Sequence, residues 1–376
     1  MDSAASFLRW PSTTTMLVTT TAVTTASLLA LARATLWPRR RKVLRSPLRA
    51  VMARASPAEL GAMVYRPDEL PGARDVDTPY GSVRVYEFGP EDGEKVLFVH
   101  GISTSCITLT RIAHALVDRG CRVMLFDLFG RGFSDGVGDL PHDSRLYASQ
   151  ILCVLASSPL PWTGSDALRL VGYSLGGAIA VHFANAFPHL VSSLVLLAPA
   201  GLIRPESFGT VTRFVFSSGV VPERILARIT GRRLQRPMAA SRLSRNAAAA
   251  ATDLPPAAGK PTPLEDRVLE YVRWMVVHHE GFVPAFMSCI RFAPLTEQHA
   301  SWRRLAGRRP GTTAVLLAET DELIDVETYA REGLPLAGGE GNVVWRVLPG
   351  SHDFVLTHVE PIMDELDRLW GMKKRS

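Results

Sequence analysis

The sequence predicts an α/β protein, with a mostly parallel central sheet, helices on both faces and a late helical insertion. Three observations carry this prediction. Short β-branched runs alternate with amphipathic helical stretches, and most of those runs are continuously apolar, as in strands buried on both faces. The order begins with a strand and then repeats strand and helix, which is the pattern of a layered α/β domain. From Gly201 to Gly311 no convincing strand occurs, and about a hundred residues is far too long for an ordinary connection.

Taken in order, Ser82–Phe88 alternates with period two after a Tyr80-Gly81 turn and reads as one arm of an opening hairpin. Lys95–His100, Arg122–Asp127, Leu168–Gly172, Ser193–Ala198, Thr313–Ala318 and Val343–Leu348 are the continuous apolar runs. Helical patterns fill Thr108–Arg119, Arg145–Leu155, Gly177–Phe187 and Pro361–Leu369. The domain is expected over residues 57–376, with an inserted helical cap at about 201–311. No repeat of solenoid or propeller length is visible.

The 376 residues carry a formal net charge of +6. That sign invites a nucleic-acid reading, but its distribution argues against one. Residues 1–56 hold nine basic side chains and one acid, a net of +8, which leaves −2 for the remainder. The basic character belongs to the leader.

Within that leader, Pro11–Ala32 is an uncharged run of 22 residues between Trp10 and Trp37, weakened by eight threonines. A span needs about 20 apolar residues, and Trp favours both interfaces. Arg33 and Pro38-Arg39-Arg40-Arg41-Lys42 follow, a flank that favours retention on the cytosolic side and would leave the C-terminal bulk there. A membrane anchor is the expectation. An Arg-rich, Ser/Thr-rich, acid-poor mitochondrial transit peptide is the alternative, and a cleaved secretory signal fits less well. Cys106, Cys121, Cys153 and Cys289 lack paired spacing and read as small core hydrophobes, with no metal site implied.

The chemistry centres on Gly172-Tyr173-Ser174-Leu175-Gly176. A second match, Gly132-Phe133-Ser134-Asp135-Gly136, shows that the pattern alone is only moderately specific. Context separates them. Ser174 follows an apolar run and precedes a helical stretch, the strand–turn–helix setting that exposes a nucleophilic hydroxyl. Ser134 lies in a glycine-rich loop and reads as a turn residue. A serine nucleophile needs a base, and the base needs an orienting acid. His352 immediately follows the final strand, whereas His358 lies near a helix start and His278 and His279 sit in the insertion. Asp321 occupies the turn after Thr313–Ala318; Asp325, Glu319 and Glu322 are the alternatives.

Together, His100-Gly101, the segment Phe126–Asp135 (FDLFGRGFSD), GYSLGG at 172–177, the Asp321 turn and His352 resemble the α/β-hydrolase superfamily from about Asp75 onward. The resemblance implies an oxyanion hole formed by the backbone amides of Leu175 and Ile102. It also implies a serine hydrolase of the lipase/esterase type, acting on a small-molecule hydrophobic ester without metal or organic cofactor. A serine nucleophile argues against the haloalkane-dehalogenase and epoxide-hydrolase branches, and the H-x₄-D acyltransferase motif is absent. FDLFGRGFSD and Ala198–Ile203 (APAGLI) are also similar to fungal hydrolases found beside polyketide pathways. That likeness leaves open a biosynthetic ester or thioester, or acyl transfer, and a non-catalytic binding protein on the same fold is a further alternative. His100, Asp127 and Arg131 read as supports of the loops beside the pocket.

In the insertion, Arg224, Arg228, Arg232, Arg233, Arg236, Arg242 and Arg245 face one acid, Glu223, with Ile225, Leu226 and Ile229 interleaved at helical spacing. The bland reading is a solvated Ala/Arg-rich helix or loop ending in Ala247–Ala251. The sharper one is a lid attracted to anionic headgroups. Trp274, Met275, Val276, Phe282, Phe286, Met287 and Phe292 form an apolar set that suits either a core or an acyl site.

Overall fold

The computed structural model describes residues 12–36, 41–61, 63–165, 167–208, 215–216, 221–235 and 263–372. Trp10, Trp37, Arg39, Arg40, Arg236, Arg242, Arg245 and the alanine run 247–251 lie outside the described residues.

One mixed sheet organises the domain. Its strands are β1 (Ala73–Thr78), β2 (Gly81–Phe88), β3 (Lys95–Val99), β4 (Arg122–Phe126), β5 (Leu168–Tyr173), β6 (Val191–Leu197), β7 (Thr313–Ala318) and β8 (Val343–Leu348). Their spatial order is β1-β2-β4-β3-β5-β6-β7-β8. The β1–β2 and β2–β4 pairs are antiparallel, and every other pair is parallel. The central runs are buried on both faces, which is why their sequences are apolar without alternation. Edge strand β1 (ARDVDT) is the other arm of the expected hairpin; its bounds were hidden because its charged residues mask any apolar period.

The helices used below are α1 (Thr13–Leu36), α2 (Thr110–Val117), α3 (Ser144–Ala156), α4 (Leu175–Ala186), α5 (Glu223–Leu234), α6 (Pro263–His278), α7 (Phe282–Phe292) and α8 (Val359–Trp370). α2 packs with α8, and α3 with α4, forming two helical layers. Helix α2 is shorter than its apolar pattern predicts, because Cys106–Leu109 forms a 3₁₀ turn ahead of it. Asp143 caps α3, accepting from the Arg145 and Leu146 amides. Between β6 and β7 the described residues add no strand to the sheet, and the helices α5, α6 and α7 occupy that interval.

Residues 41–56, assigned to the leader by sequence, lie against the domain. Val43–Leu44 forms a short antiparallel ladder with Gly136–Val137, and Ser46, Pro47 and Met52 are buried.

Sheet register positions the site. Val99 lies opposite Gly172, Tyr173 opposite Leu197, and Leu348 opposite Ala318. The loops that follow β3, β5, β7 and β8 therefore emerge side by side at the carboxyl edge of the sheet, where ligands bind in open α/β folds.

Candidate active site

Ser174 ends β5 and begins α4 with φ 55° and ψ −119°, a left-handed conformation that a non-glycine residue rarely adopts. The surroundings enforce it. Ser174 N–H donates to the Leu197 carbonyl at 2.9 Å, and the Ser174 carbonyl accepts from the Gly177 and Ala200 amides, each at 2.9 Å. The flanking glycines are steric necessities: a Cβ on Gly176 would lie 2.0 Å from the Val99 carbonyl oxygen, and one on Gly172 2.4 Å from that of Gly176.

The Ser174 hydroxyl faces His352, with Oγ 3.0 Å from Nε2. On the other side of the ring, Nδ1 lies 2.8 Å from Asp321 Oδ2. The second carboxylate oxygen of Asp321 accepts from the Leu323 and Ile324 amides, both at 2.8 Å. Backbone ladders continue past the strands to hold the acid and the base together: Glu319 N–H donates to the Leu348 carbonyl at 2.8 Å, and Thr320 N–H to that of Gly350 at 3.0 Å. Burial alone would lower the His352 pKa. The hydrogen bond and charge of Asp321 outweigh burial and hold the imidazole above its ordinary value.

The alternative acids are placed differently. Asp325 caps the short helix that follows, bonding Thr328. Glu322 accepts from the His352 backbone amide at 3.2 Å, which orients the histidine loop but leaves the ring to Asp321. Ser134 is buried in its loop, donating to the Asp127 carbonyl at 2.6 Å. His279 bonds the Ser134 carbonyl, and His358 bonds its neighbour Thr357.

Leu175 opens α4 directly after the serine, and Ile102 follows Gly101, where an added Cβ would lie 3.5 Å from Ser174 Cβ. Neither amide donates to an acceptor among the described residues, so both remain available to an external oxygen. The Ile102 loop is held from below. His100 Nε2 accepts from the Leu128 amide at 2.9 Å, which puts the ring proton on Nδ1, where it is donated to the Gly101 carbonyl at 2.8 Å. Burial, with Arg131 nearby, pushes the His100 pKa down to about 3, so its imidazole stays neutral.

Arg131 is fully buried and completes the support. Its Nε donates to the Ile102 carbonyl at 3.0 Å and Nη1 to the Phe129 carbonyl at 3.0 Å and the Tyr147 hydroxyl at 3.2 Å; Nη2 reaches Cys289 Sγ of α7 at 3.2 Å.

Sequence reasoning missed Tyr173, the variable second position of the serine motif. Its hydroxyl donates to the His352 carbonyl at 3.1 Å, and its ring lies 5.4 Å from the imidazole. The one available signal was its adjacency to Ser174. All four cysteines are free thiols.

Such a constellation can deliver a serine nucleophile, a proton carrier and two amide donors to one carbonyl group. Comparison with known proteins agrees with the architecture. A family model described as serine aminopeptidase, S33, matches residues 90–261. Lipase LipV of Mycobacterium tuberculosis is 33% identical over 118 residues, covering 31% of this chain and 42% of that protein. Monoglyceride lipase of Mus musculus is 26% identical over 170 residues, covering 45% of this chain and 56% of that one. The chain thus spans about two fifths of the length of the curated relatives it matches first. Among solved structures, the enol-lactonase from Burkholderia xenovorans superposes with TM-score 0.56 at 16% identity, covering 79% of this chain and all of that one. A bacterial membrane phospholipase A does so with TM-score 0.55 at 19% identity, covering 94% and 99%. At these identities the structural likeness speaks to the fold alone. Fold and matched segment agree: the chain has the α/β-hydrolase fold, and residues 90–261 are similar to the serine aminopeptidase S33 family.

Proposed function

We propose that this chain is a membrane-anchored serine hydrolase cleaving carboxylic esters of hydrophobic, acyl-lipid type. The carrying observation is the unbroken relay from Asp321 through His352 to Ser174, at 2.8 and 3.0 Å, on a strained elbow. In this reading Ser174 Oγ attacks the ester carbonyl while His352 Nε2 takes its proton. Asp321 holds the tautomer that leaves Nε2 free to accept. The Leu175 and Ile102 amides stabilise the oxyanion. His352 then protonates the departing alkoxide, and water, activated by the same imidazole, releases the acid from the acyl-enzyme. Every group required belongs to the chain.

Two observations support the lipid-like substrate. Relatives named lipase and monoglyceride lipase match this chain over 118 and 170 residues. In addition, the apolar run Thr13–Ala34 in α1 has a mean hydropathy of 1.5 and is wholly unburied, as a bilayer span would be. By its charge, the basic flank after Ala32 favours the cytosolic side for the domain; import into mitochondria is the alternative that fractionation separates.

The test is labelling by a fluorophosphonate probe, with hydrolysis of p-nitrophenyl esters of graded chain length. Wild-type protein is expected to label and to prefer longer acyl chains, and Ser174→Ala to do neither. Folded wild-type protein that fails to label would favour a binding protein on this fold.

A further inference from the structure

The chain leaving α1 is fixed to the base of the cap. Val43 and Leu44 pair with Val137 and Gly136, and the Gly138 amide donates to the Lys42 carbonyl at 2.9 Å. Ser46 N–H donates to Asp135 Oδ1 at 2.8 Å, and Arg41 lies 3.7 Å from Glu280, just before α7. Gly136 and Gly281 touch so closely that a Cβ on Gly136 would lie 2.8 Å from the Gly281 Cα. From Leu36 to Arg41 the chain advances five residues, which span about 18 Å at most. The start of α7 is therefore tethered close to the end of α1.

Helix α5 lies in the same cap. It seats Leu226, Thr230, Gly231 and Leu234 inward, with Gly231 against Val276 of α6 and Val283 of α7. Its outer face carries Ile225 and Ile229, 47% and 56% exposed, between exposed Arg224, Arg228, Arg232 and Arg233. No acid pairs with these arginines among the described residues. Glu223, the helix's own acid, is clamped by Arg291 through two bonds of 2.9 Å. Exposed branched aliphatics flanked by unneutralised guanidinium groups match a surface with phosphate outside and hydrocarbon beneath.

We infer that the outer face of α5 docks on an anionic phospholipid surface, that of the bilayer holding α1, with residues 41–46 setting the reach. This rests on the anchoring reading above. The isoleucines insert at the acyl boundary while the arginines engage headgroup phosphates. The cap is thereby turned toward the bilayer.

The test uses the full chain, with Cys153→Ser to remove the half-buried thiol, reconstituted into bilayers of phosphatidylcholine alone or with phosphatidylserine. A nitroxide on Ile229→Cys reports depth by power saturation against oxygen and an aqueous nickel chelate; one on Val347→Cys, also exposed, serves as the reference. The expected result is that the Ile229 label enters the oxygen-rich phase in phosphatidylserine bilayers only, while the Val347 label stays aqueous. Replacing Arg224, Arg228, Arg232 and Arg233 together by Ser returns the Ile229 label to water at an unchanged melting temperature. It also weakens docking about 600-fold, at roughly fivefold per arginine. An Ile229 label that is aqueous in both bilayers overturns the inference. So does one immobilised outside the lipid, which would point to a protein partner or a second copy. Extraction of the chain by alkaline carbonate overturns the anchor itself, and the docking inference with it.

Discussion

On the proposed mechanism, Asp321→Asn should nearly abolish turnover while leaving the geometry of the site intact, for a reason that lies in its hydrogen bonds. One oxygen of Asp321 accepts two backbone N–H groups, from Leu323 and Ile324, and the other faces His352 Nδ1 at 2.8 Å. In an asparagine only the carbonyl oxygen can accept, so the two amides claim it. The NH₂ is then turned toward His352, whose Nδ1 must become an acceptor. The ring proton moves to Nε2, 3.0 Å from Ser174 Oγ, where an acceptor is needed. The base now presents the wrong tautomer. A loss of about 10⁴ in kcat is expected for this defect, or about 5 kcal/mol of barrier at 1.36 kcal/mol per decade. The assay is steady-state hydrolysis of a p-nitrophenyl ester, with melting temperature as the control for folding. Retention of more than a tenth of wild-type kcat by folded Asp321→Asn protein would refute the tautomer argument and move the acid's role elsewhere, with Glu322 the nearest candidate.

Further outcomes follow from the same coordinates. His352 is held above its ordinary pKa of 6.5, and its protonated form cannot accept from Ser174, so kcat/KM should fall as pH drops through a value above 6.5. The linked stability runs the other way. A raised folded pKa contributes stability that is fully present below 6.5 and lost as pH rises through the folded value, so the acid limb of activity is not unfolding at this residue. Arg131→Lys keeps the charge but cannot serve the Ile102 carbonyl, Phe129 carbonyl, Tyr147 and Cys289 together; kcat should drop about tenfold to a hundredfold with KM little changed, read from full kinetic curves. Glu87 anchors Arg74 at 2.8 Å, Arg122 at 3.3 Å and the Trp162 indole at 3.1 Å. Glu87→Ala should cost about 3 kcal/mol by denaturant titration, the low end for a broken buried pair because both arginines keep some solvent.

Much of this was legible because the strong signals are local. Continuous apolar runs mark strands, buried on both faces except at the half-exposed edge strand Val343–Leu348, and every expected strand appears within two residues of its predicted bounds. Ser174 could be chosen over Ser134 because only one of the two motifs joins a strand to a helix. What was hidden depends on register or on contacts distant in sequence. The choice of Asp321 over Glu322 is made by which side chain reaches the ring from adjacent turns, a matter of side-chain length and loop closure between β7 and β8. The docking of Arg41–Ser46 on Asp135 and Gly136 joins segments about ninety residues apart, neither of which carries a strand pattern long enough to detect. Arg131 was legible as a support of the turn beside the pocket, but its meeting with Cys289, 158 residues away, was not.

The two halves of the site rest on different foundations. Asp321 and His352 are joined through the sheet, by backbone bonds that continue the β7–β8 ladder. Ile102 is held through its carbonyl by a guanidinium whose other arm grips α7. In the proposed mechanism, proton movement and accommodation of the electrophile are thus mechanically separable. Displacement of the cap would loosen one amide and slow turnover while the pH profile stayed where it was.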